Sequence, residues 1–351
     1  MSQTPTTPMR ALALTSPTGL DALRVMDLPD APMPGPGEVR IRMKAAALNH
    51  LDLFMADGLP GPEPEWPFIV GSDGAAVIES VGDGVVSAHV GDRVMLNPGI
   101  SCGQCRFCQM GEESLCERYA ILGEHRSGTV AELVTLPAIN VAPVPEGMTW
   151  SEAAAFPLST LTAWRMLVTR ARLTEGEALF VWGAGGGVSQ QAIRIGRYLG
   201  ATVIVAGSRD KLPDAEAIGA HHVIDRKDDV IARVKEITGR RGADVVVDSV
   251  GEATWASTLR IVSRLGRIVV CGGTTGPGLT LDARRLFWHQ WSILGSTMGN
   301  RREFADIVAH AHAGRFWPTV DSVVPLEQGV EAYRRLAAGT QSGKVVIEVS
   351  P

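Results

Sequence analysis

The sequence predicts an α/β protein in which a doubly wound parallel sheet adjoins a smaller β-rich domain. Three observations predict it. Continuous apolar runs with helical text between them fill the middle of the chain, a glycine cluster follows the first such run, and the text before residue 150 is short-segmented and rich in Pro and Gly. Strands of a parallel sheet read as unbroken Val/Ile runs because helices cover both faces. Short alternating segments bounded by turn residues read as strands with one face in water.

Taken in order, EVRIRMKAA (38–46), GAAVIESVG (74–82), DRVML (92–96) and TVAELVTL (129–136) are predicted strands, and the first eight residues a frayed tail. Thr149 and Glu152 have capping-box spacing before an Ala-rich helix over 150–170. ALFVWG (178–183), TVIVAG (202–207), HHVID (221–225), ADVVVDS (243–249) and RIVVCGG (267–273) are the buried strands, with His221 and His222 read as surface or edge residues. After WSILGS (291–296), helices near 302–314 and 327–338 lead to a last strand, KVVIEV (344–349). This order implies that the C-terminal part returns to pack on the first domain.

The 351 residues suit about two domains. A net charge of −5 without a long basic run argues against nucleic acid or an anionic membrane as partner. The N-terminal MSQTPTTPMR lacks the apolar core of a secretion signal, and no run of roughly 18 apolar residues is present, so a cytoplasmic protein that does not span a membrane is expected. Thiols stay reduced there. In that setting SCGQCRFCQMGEESLC (101–116), with spacing C-x2-C-x2-C-x7-C, favours a metal over disulfides. Cys102, Cys105, Cys108 and Cys116 are expected to close a tetrahedron around one structural Zn2+, leaving no position for substrate. The fifth cysteine, Cys271, ends an apolar strand and is expected in the core.

VWGAGGGVSQQAI places glycines between a strand and a helix, where backbone N–H groups and the helix dipole hold a pyrophosphate. Gly185, Gly186, Gly187 and Val188 are the candidate cradle, although Val188 stands where a strict G-x-G-x-x-G ends on glycine. At the end of the next strand, the place where an acid would hold ribose hydroxyls is Ala206. Ser208, Arg209 and Lys211 instead suit a 2′-phosphate, so NADPH is expected over NADH. Asp210 falls late and is read as starting a helix.

AAALNHLDLF (45–54), PFIVGSDGAAVIESVG (67–82), the cysteine lobe, LTAW (161–164), the glycine loop and the terminal GKVVIEV together resemble the medium-chain dehydrogenase/reductase superfamily over essentially the whole chain. The resemblance implies a GroES-like catalytic domain (1–157 and 299–351, with a zinc lobe at 97–118), a Rossmann domain (158–298) and a cleft between them. It implies a homodimer, or a tetramer built from one, joined near 288–297, where the two Trp of WHQWSILG are compatible with an interface or with the core. It also implies that Thr162 touches the nicotinamide end.

Alcohol dehydrogenases of this superfamily hold a catalytic zinc through Cys, His and Cys. The matching positions here are Asn49, Ser72 and Leu158, and Leu51 and Phe54 stand at the usual proton-relay places. The resemblance is therefore to the quinone oxidoreductase branch in its N-x-x-D and G-x-D-x-x-G text, but with the cysteine lobe that branch lacks. NADPH-dependent reduction of a quinone or an α,β-unsaturated carbonyl, without a catalytic metal, is the leading expectation. Asn49 is the first candidate for a polar contact to substrate, His50 for a proton donor, and Asp52 for ordering the loop; Asp73, Glu124 and His125 are further candidates. Two alternatives stand. One is an alcohol dehydrogenase or aldehyde reductase with an atypical zinc site using His50, Asp73 and His125. The other is an NADPH-binding regulatory or structural protein without turnover.

Overall fold

The structure, a computed structural model, describes residues 8–59 and 64–350. The expected frayed tail therefore lies, except for Pro8, outside the described residues. The chain divides into two compact units, one running to Leu158 and resuming at Asn300, the other Ser159–Gly299.

In the first unit, a seven-stranded sheet is ordered Val141–Pro143, Arg93–Leu96, Asp73–Val81, Glu38–Ala47, Lys344–Glu348, Val320–Pro325, with Leu133–Pro137 also pairing with Glu38–Ala47. The chain's last strand is thus interior to a sheet built mostly from its first 150 residues. Leu12, Ile41, Met43, Ile78, Leu96, Leu136, Tyr333 and Ile347 share its core. Several strands escaped the sequence reading, among them Met9–Leu14 and Leu23–Leu28, which pair antiparallel, and Val141–Pro143 and Val320–Pro325 in the sheet just described. Of the expected strand 129–136, only Leu133 onward is regular.

The second unit is a six-stranded parallel sheet in the order His222–Asp225, Thr202–Gly207, Ala178–Trp182, Ala243–Asp248, Val262–Val270, Ser292–Gly295. Numbered along the chain, these strands run 3-2-1-4-5-6, which places the reversal point, where such sheets bind dinucleotides, between the first and the fourth. All five residues of the first strand are buried. The fifth strand begins earlier than expected, at Val262, and Cys271 lies just past it, half-buried rather than in the core. Burial of its sulfur, then Asp248, pushes that thiol up to about 12, so it stays protonated. Asp248 is fully buried and accepts from the Val250 and Gly251 N–H groups and from the Thr254 and Thr258 hydroxyls, which fixes the turn after the fourth strand. Among the described residues, the outer edge of the last strand is unpaired. Of the two tryptophans beside it, Trp288 is 73% exposed and Trp291 is buried.

The helix expected over 150–170 is three pieces: Trp150–Ala155, Pro157–Trp164 and a wider turn, Arg165–Arg170. Pro157 explains the first break, because proline lacks the N–H an unbroken helix needs and is preorganised to open a new one. Thr149 and Glu152 make the expected capping box. Among the described residues no helix is long and apolar enough to cross a membrane.

Candidate functional site

Strand register builds the polar centre of the first unit. Val346 pairs with Ala47 and Ile347 with Ala46, so the same register, continued past the strand end, sets Lys344 opposite Asn49. On the other side, Ala47 pairs with Asp73. Three side chains from distant parts of the chain meet there. Lys344 Nζ donates to Asn49 Oδ1 at 2.5 Å and to Asp73 Oδ2 at 3.0 Å, and Asn49 Nδ2 donates to the same Asp73 oxygen at 3.0 Å. The other Asp73 oxygen accepts the Leu158 backbone N–H at 2.8 Å. Asp73 is 0% and Lys344 4% exposed, values at which a charge must be paired and hydrogen-bonded.

The neighbouring backbone is packed too tightly to shift. Gly71 adopts φ +97°, and a Cβ on Gly128 would stand 2.3 Å from the Gly71 carbonyl oxygen and 2.4 Å from that of Val70. Thr129 Oγ1 donates to the Asp73 carbonyl at 2.7 Å. Only glycine fits these close approaches, and together they hold Ser72 and Asp73 in place.

Asn49 stands directly before the helix His50–Asp57, with Asp52 Oδ2 accepting its backbone N–H at 2.9 Å and the Tyr333 hydroxyl at 3.1 Å. Burial pushes the Asp52 carboxyl up to about 7; the Asn49 N–H, Lys344 and the Tyr333 hydroxyl oppose that rise, and Asp73 adds to it. Asp52 Oδ1 and Ser72 Oγ are buried without a hydrogen-bond partner among the described residues. His50 opens the helix with an exposed side chain, its pKa lowered by partial desolvation and by Lys344. Asn49 spends its amide hydrogens on Asp73 and the Ala47 carbonyl, which leaves only its oxygen, already bonded to Lys344, to offer a ligand. Glu124 is half-buried, its carboxyl raised by burial, and lies 3.8 Å from the exposed His125.

The three positions that match zinc ligands in alcohol dehydrogenases do not fit a metal. Asn49 is committed within the protein, Leu158 has no donor side chain, and Ser72 supplies only a neutral hydroxyl. Lys344 and Tyr333 went unread in the sequence as polar residues of the site. The one signal was a lysine opening an otherwise apolar strand.

The cysteine lobe does fit a metal. The sulfurs of Cys102, Cys105, Cys108 and Cys116 lie within 4.8 Å of one another, and among the described residues this is the one group of three or more side chains that could hold an ion. Backbone N–H groups of Gln104 and Cys105 point at Cys102 Sγ and hold its thiol down to about 6; those of Cys102 and Arg118 point at Cys116 Sγ. Such donors stabilise thiolates, the form that binds zinc. Asn300 and Arg301, at the start of the helix Arg301–His312, bond to Gly111 and Ser101 and tie the lobe to its unit.

In the second unit, Gly185 and Gly186 lie in the turn after the first strand, and the helix Gly187–Tyr198 opens with Gly187 and Val188. Among the described residues no side chain caps that helix, and uncapped N–H groups at a helix start are suited to an anion. Ser208 follows the second strand, and Arg209 and Lys211 lie in the next turn. That turn includes Asp210, and the regular helix starts only at Leu212. Arg209 is 80% exposed at its side chain, and its Nε donates to Asp225 Oδ2 at 2.7 Å. Thr162 is buried in the helix Pro157–Trp164.

Residues 35–146 match the family described as alcohol dehydrogenase GroES-like domain and residues 187–313 that described as zinc-binding dehydrogenase. An NAD-dependent alcohol dehydrogenase of Sulfolobus acidocaldarius is 30% identical over 94% of this chain and 97% of its own. The human synaptic vesicle membrane protein VAT-1 homolog is 30% identical over 98% of this chain and 87% of its own. A crystal structure of an NAD-dependent alcohol dehydrogenase superposes with a TM-score of 0.94 at 43% identity, covering 97% of this chain and all of the other.

Two outcomes follow from this geometry. Asp52 binds its proton more tightly folded than unfolded, so its contribution to stability is full below the ordinary carboxylate range and is lost as pH rises through about 7. Asp52→Asn is expected to flatten that fall, by up to ~1.4 kcal/mol per pH unit, in urea unfolding between pH 4 and 8; parallel curves for the two proteins would show that Asp52 does not titrate there. Replacing Cys105 by Ser is expected to remove bound zinc and lower the melting temperature before turnover per folded molecule changes. Zinc content by elemental analysis, set against thermal melts, checks this, and a variant that stays stable while losing only turnover contradicts a structural metal.

Proposed function

The chain belongs to the medium-chain dehydrogenase/reductase superfamily, and on that footing we propose that it is an NADPH-dependent reductase delivering hydride to an electron-poor acceptor, a quinone or an α,β-unsaturated carbonyl, without a catalytic metal. The observation that carries the reading is the state of the three metal positions: Asn49 and the Leu158 N–H are bonded into a cluster around Asp73 and Lys344, and Ser72 stands next to Asp73 in the chain. Without a Lewis acid, a simple ketone loses its strongest electrophilic help. An acceptor whose negative charge delocalises needs less of it.

The bound cofactor supplies the hydride. Gly185, Gly186, Gly187 and Val188 would hold its pyrophosphate, and Thr162 its nicotinamide end. Ser208, Arg209 and Lys211 would hold the 2′-phosphate. The ion pair to Asp225 uses only Nε of Arg209 and leaves its two terminal nitrogens for phosphate oxygens. Asp225 spends Oδ2 on Arg209 and Oδ1 on the Lys227 N–H, which argues against its serving as an acid for ribose hydroxyls. Asn49, whose amide is committed within the protein, would act on the acceptor only through the Lys344 ammonium that it holds; the exposed His50 would donate a proton, and Asp52 would order the start of the helix. One zinc per chain in the cysteine lobe, a reducing compartment such as the cytoplasm, and a homodimer joined along the unpaired edge Ser292–Gly295 complete the proposal.

The names of the relatives favour a second reading, an NAD-dependent alcohol dehydrogenase. Incubation with quinones, enones, aldehydes and ketones, using NADPH and NADH in parallel, separates the two. Oxidation of NADPH by quinones or enones is expected; turnover only of simple aldehydes or ketones with NADH, together with two zinc ions per chain, supports the second reading. Arg209→Ala is expected to raise the KM for NADPH by about tenfold or more, a loss of one charge-assisted contact, and to leave that for NADH nearly unchanged. Equal effects on both would remove Arg209 from cofactor choice.

A further inference from the structure

We propose that the Lys344 ammonium is the fixed cation of the active site, donating to the acceptor oxygen on which negative charge collects during reduction. The inference rests on the reading of the protein as a metal-free reductase.

Three observations converge on it. The positions matched to the metal ligands all fall in one bonded cluster: Lys344 bonds Asn49, it bonds Asp73 next to Ser72, and Asp73 bonds the Leu158 N–H. The only cation bonded within this cluster, among the described residues, is Lys344, which is 4% exposed. A buried ion pair is weak evidence of stabilisation, since a packed apolar pair often does as well; its presence here asks for a chemical reason. Finally, an ammonium has three N–H donors. Two are spent, on Asn49 and Asp73, and one has no partner among the described residues. Ser72 Oγ, fully buried beside Asp73, also has none. Unmet buried donors are unfavourable, and an oxygen arriving from outside the protein would satisfy them.

The chemistry closes with one hydride from reduced nicotinamide and one proton from water. The electron-poor carbon conjugated with the carbonyl gains the hydride, its C=C π pair shifts to form a double bond to the carbonyl carbon, the C=O π pair moves onto oxygen, and the resulting enolate or quinolate takes up one proton that comes ultimately from water. Lys344 acts on the charge of that oxygen before the proton arrives. A preorganised donor aimed at developing charge in a water-poor site is worth about 10²–10³ in kcat.

The decisive variant is Lys344→Met/Asp73→Asn, which removes both charges together and leaves an acceptor for the Leu158 N–H; Lys344→Met alone strands the Asp73 carboxylate. The double variant is expected to fold, to bind NADPH within about threefold of wild type, and to lose about 100-fold in kcat for the acceptor that wild type reduces best. A second readout needs no turnover. 4-Nitrophenol, titrated by absorbance at saturating protein with NADP+, is expected to ionise on the order of one pH unit lower when bound to wild type than when free, and to lose that shift in the double variant. A kcat within threefold of wild type, a shift that survives in the double variant, or wild-type protein that leaves the nitrophenol titration unchanged would each overturn the assignment. Wild type that reduces no acceptor defeats the reductase reading instead, and the nitrophenol titration then decides Lys344 by itself.

Discussion

Asp73 is a carboxylate with no contact with water, and the centre of the first unit is arranged around that constraint. A buried charge is tolerated only when donors meet it on all sides and a counter-charge stands close. The donors come from three regions of sequence: the turn before the helix at His50, the chain's last strand, and the backbone entering the helix at Pro157. Each must be correctly placed for the others to be stable. The antiparallel register that inserts the C-terminal strand between Glu38–Ala47 and Val320–Pro325 is therefore the same feature that completes the polar site.

Much of the fold was legible because local chemistry dictates it. Unbroken Val/Ile runs gave the parallel strands, Thr149 with Glu152 gave a helix start, and four cysteines within fifteen residues gave a lobe whose thiols do meet. Departures have equally local causes. Pro157 breaks a helix that Ala-rich text alone extends, and Met9–Leu14 lay next to text read as a tail. In the site, Asn49, Asp52 and Asp73 were visible as polar residues in motif-bearing text. Lys344 was not, because its partner Asn49 lies 295 positions away in sequence. No periodicity links the two; only sheet register does, and register is a property of the assembled sheet.

The second unit divides its work differently. Its parallel strands and the donors converging on Asp248 form a rigid frame, while the residues suited to a cofactor sit on turns at strand ends. Arg209 illustrates the compromise. Its Nε is anchored, which limits the guanidinium's wandering, while most of the side chain stays in water. An anchored arginine loses less freedom on meeting a phosphate than one waving in solvent.

The ammonium at Lys344 also constrains how this sequence can change. Cysteine, histidine and cysteine at positions 49, 72 and 158 would remove the Asn49 oxygen that Lys344 now bonds and would bring a divalent ion close to its ammonium, so the two positive centres would compete for the same anionic partners. Removing the lysine first would strand the Asp73 carboxylate, at a cost of about 3–5 kcal/mol. Most single steps toward a metal therefore pass through a destabilised protein. The ion pair acts as a ratchet: mutational drift can repack its surroundings, but the two chemistries are separated by an epistatic barrier that only coordinated substitutions cross.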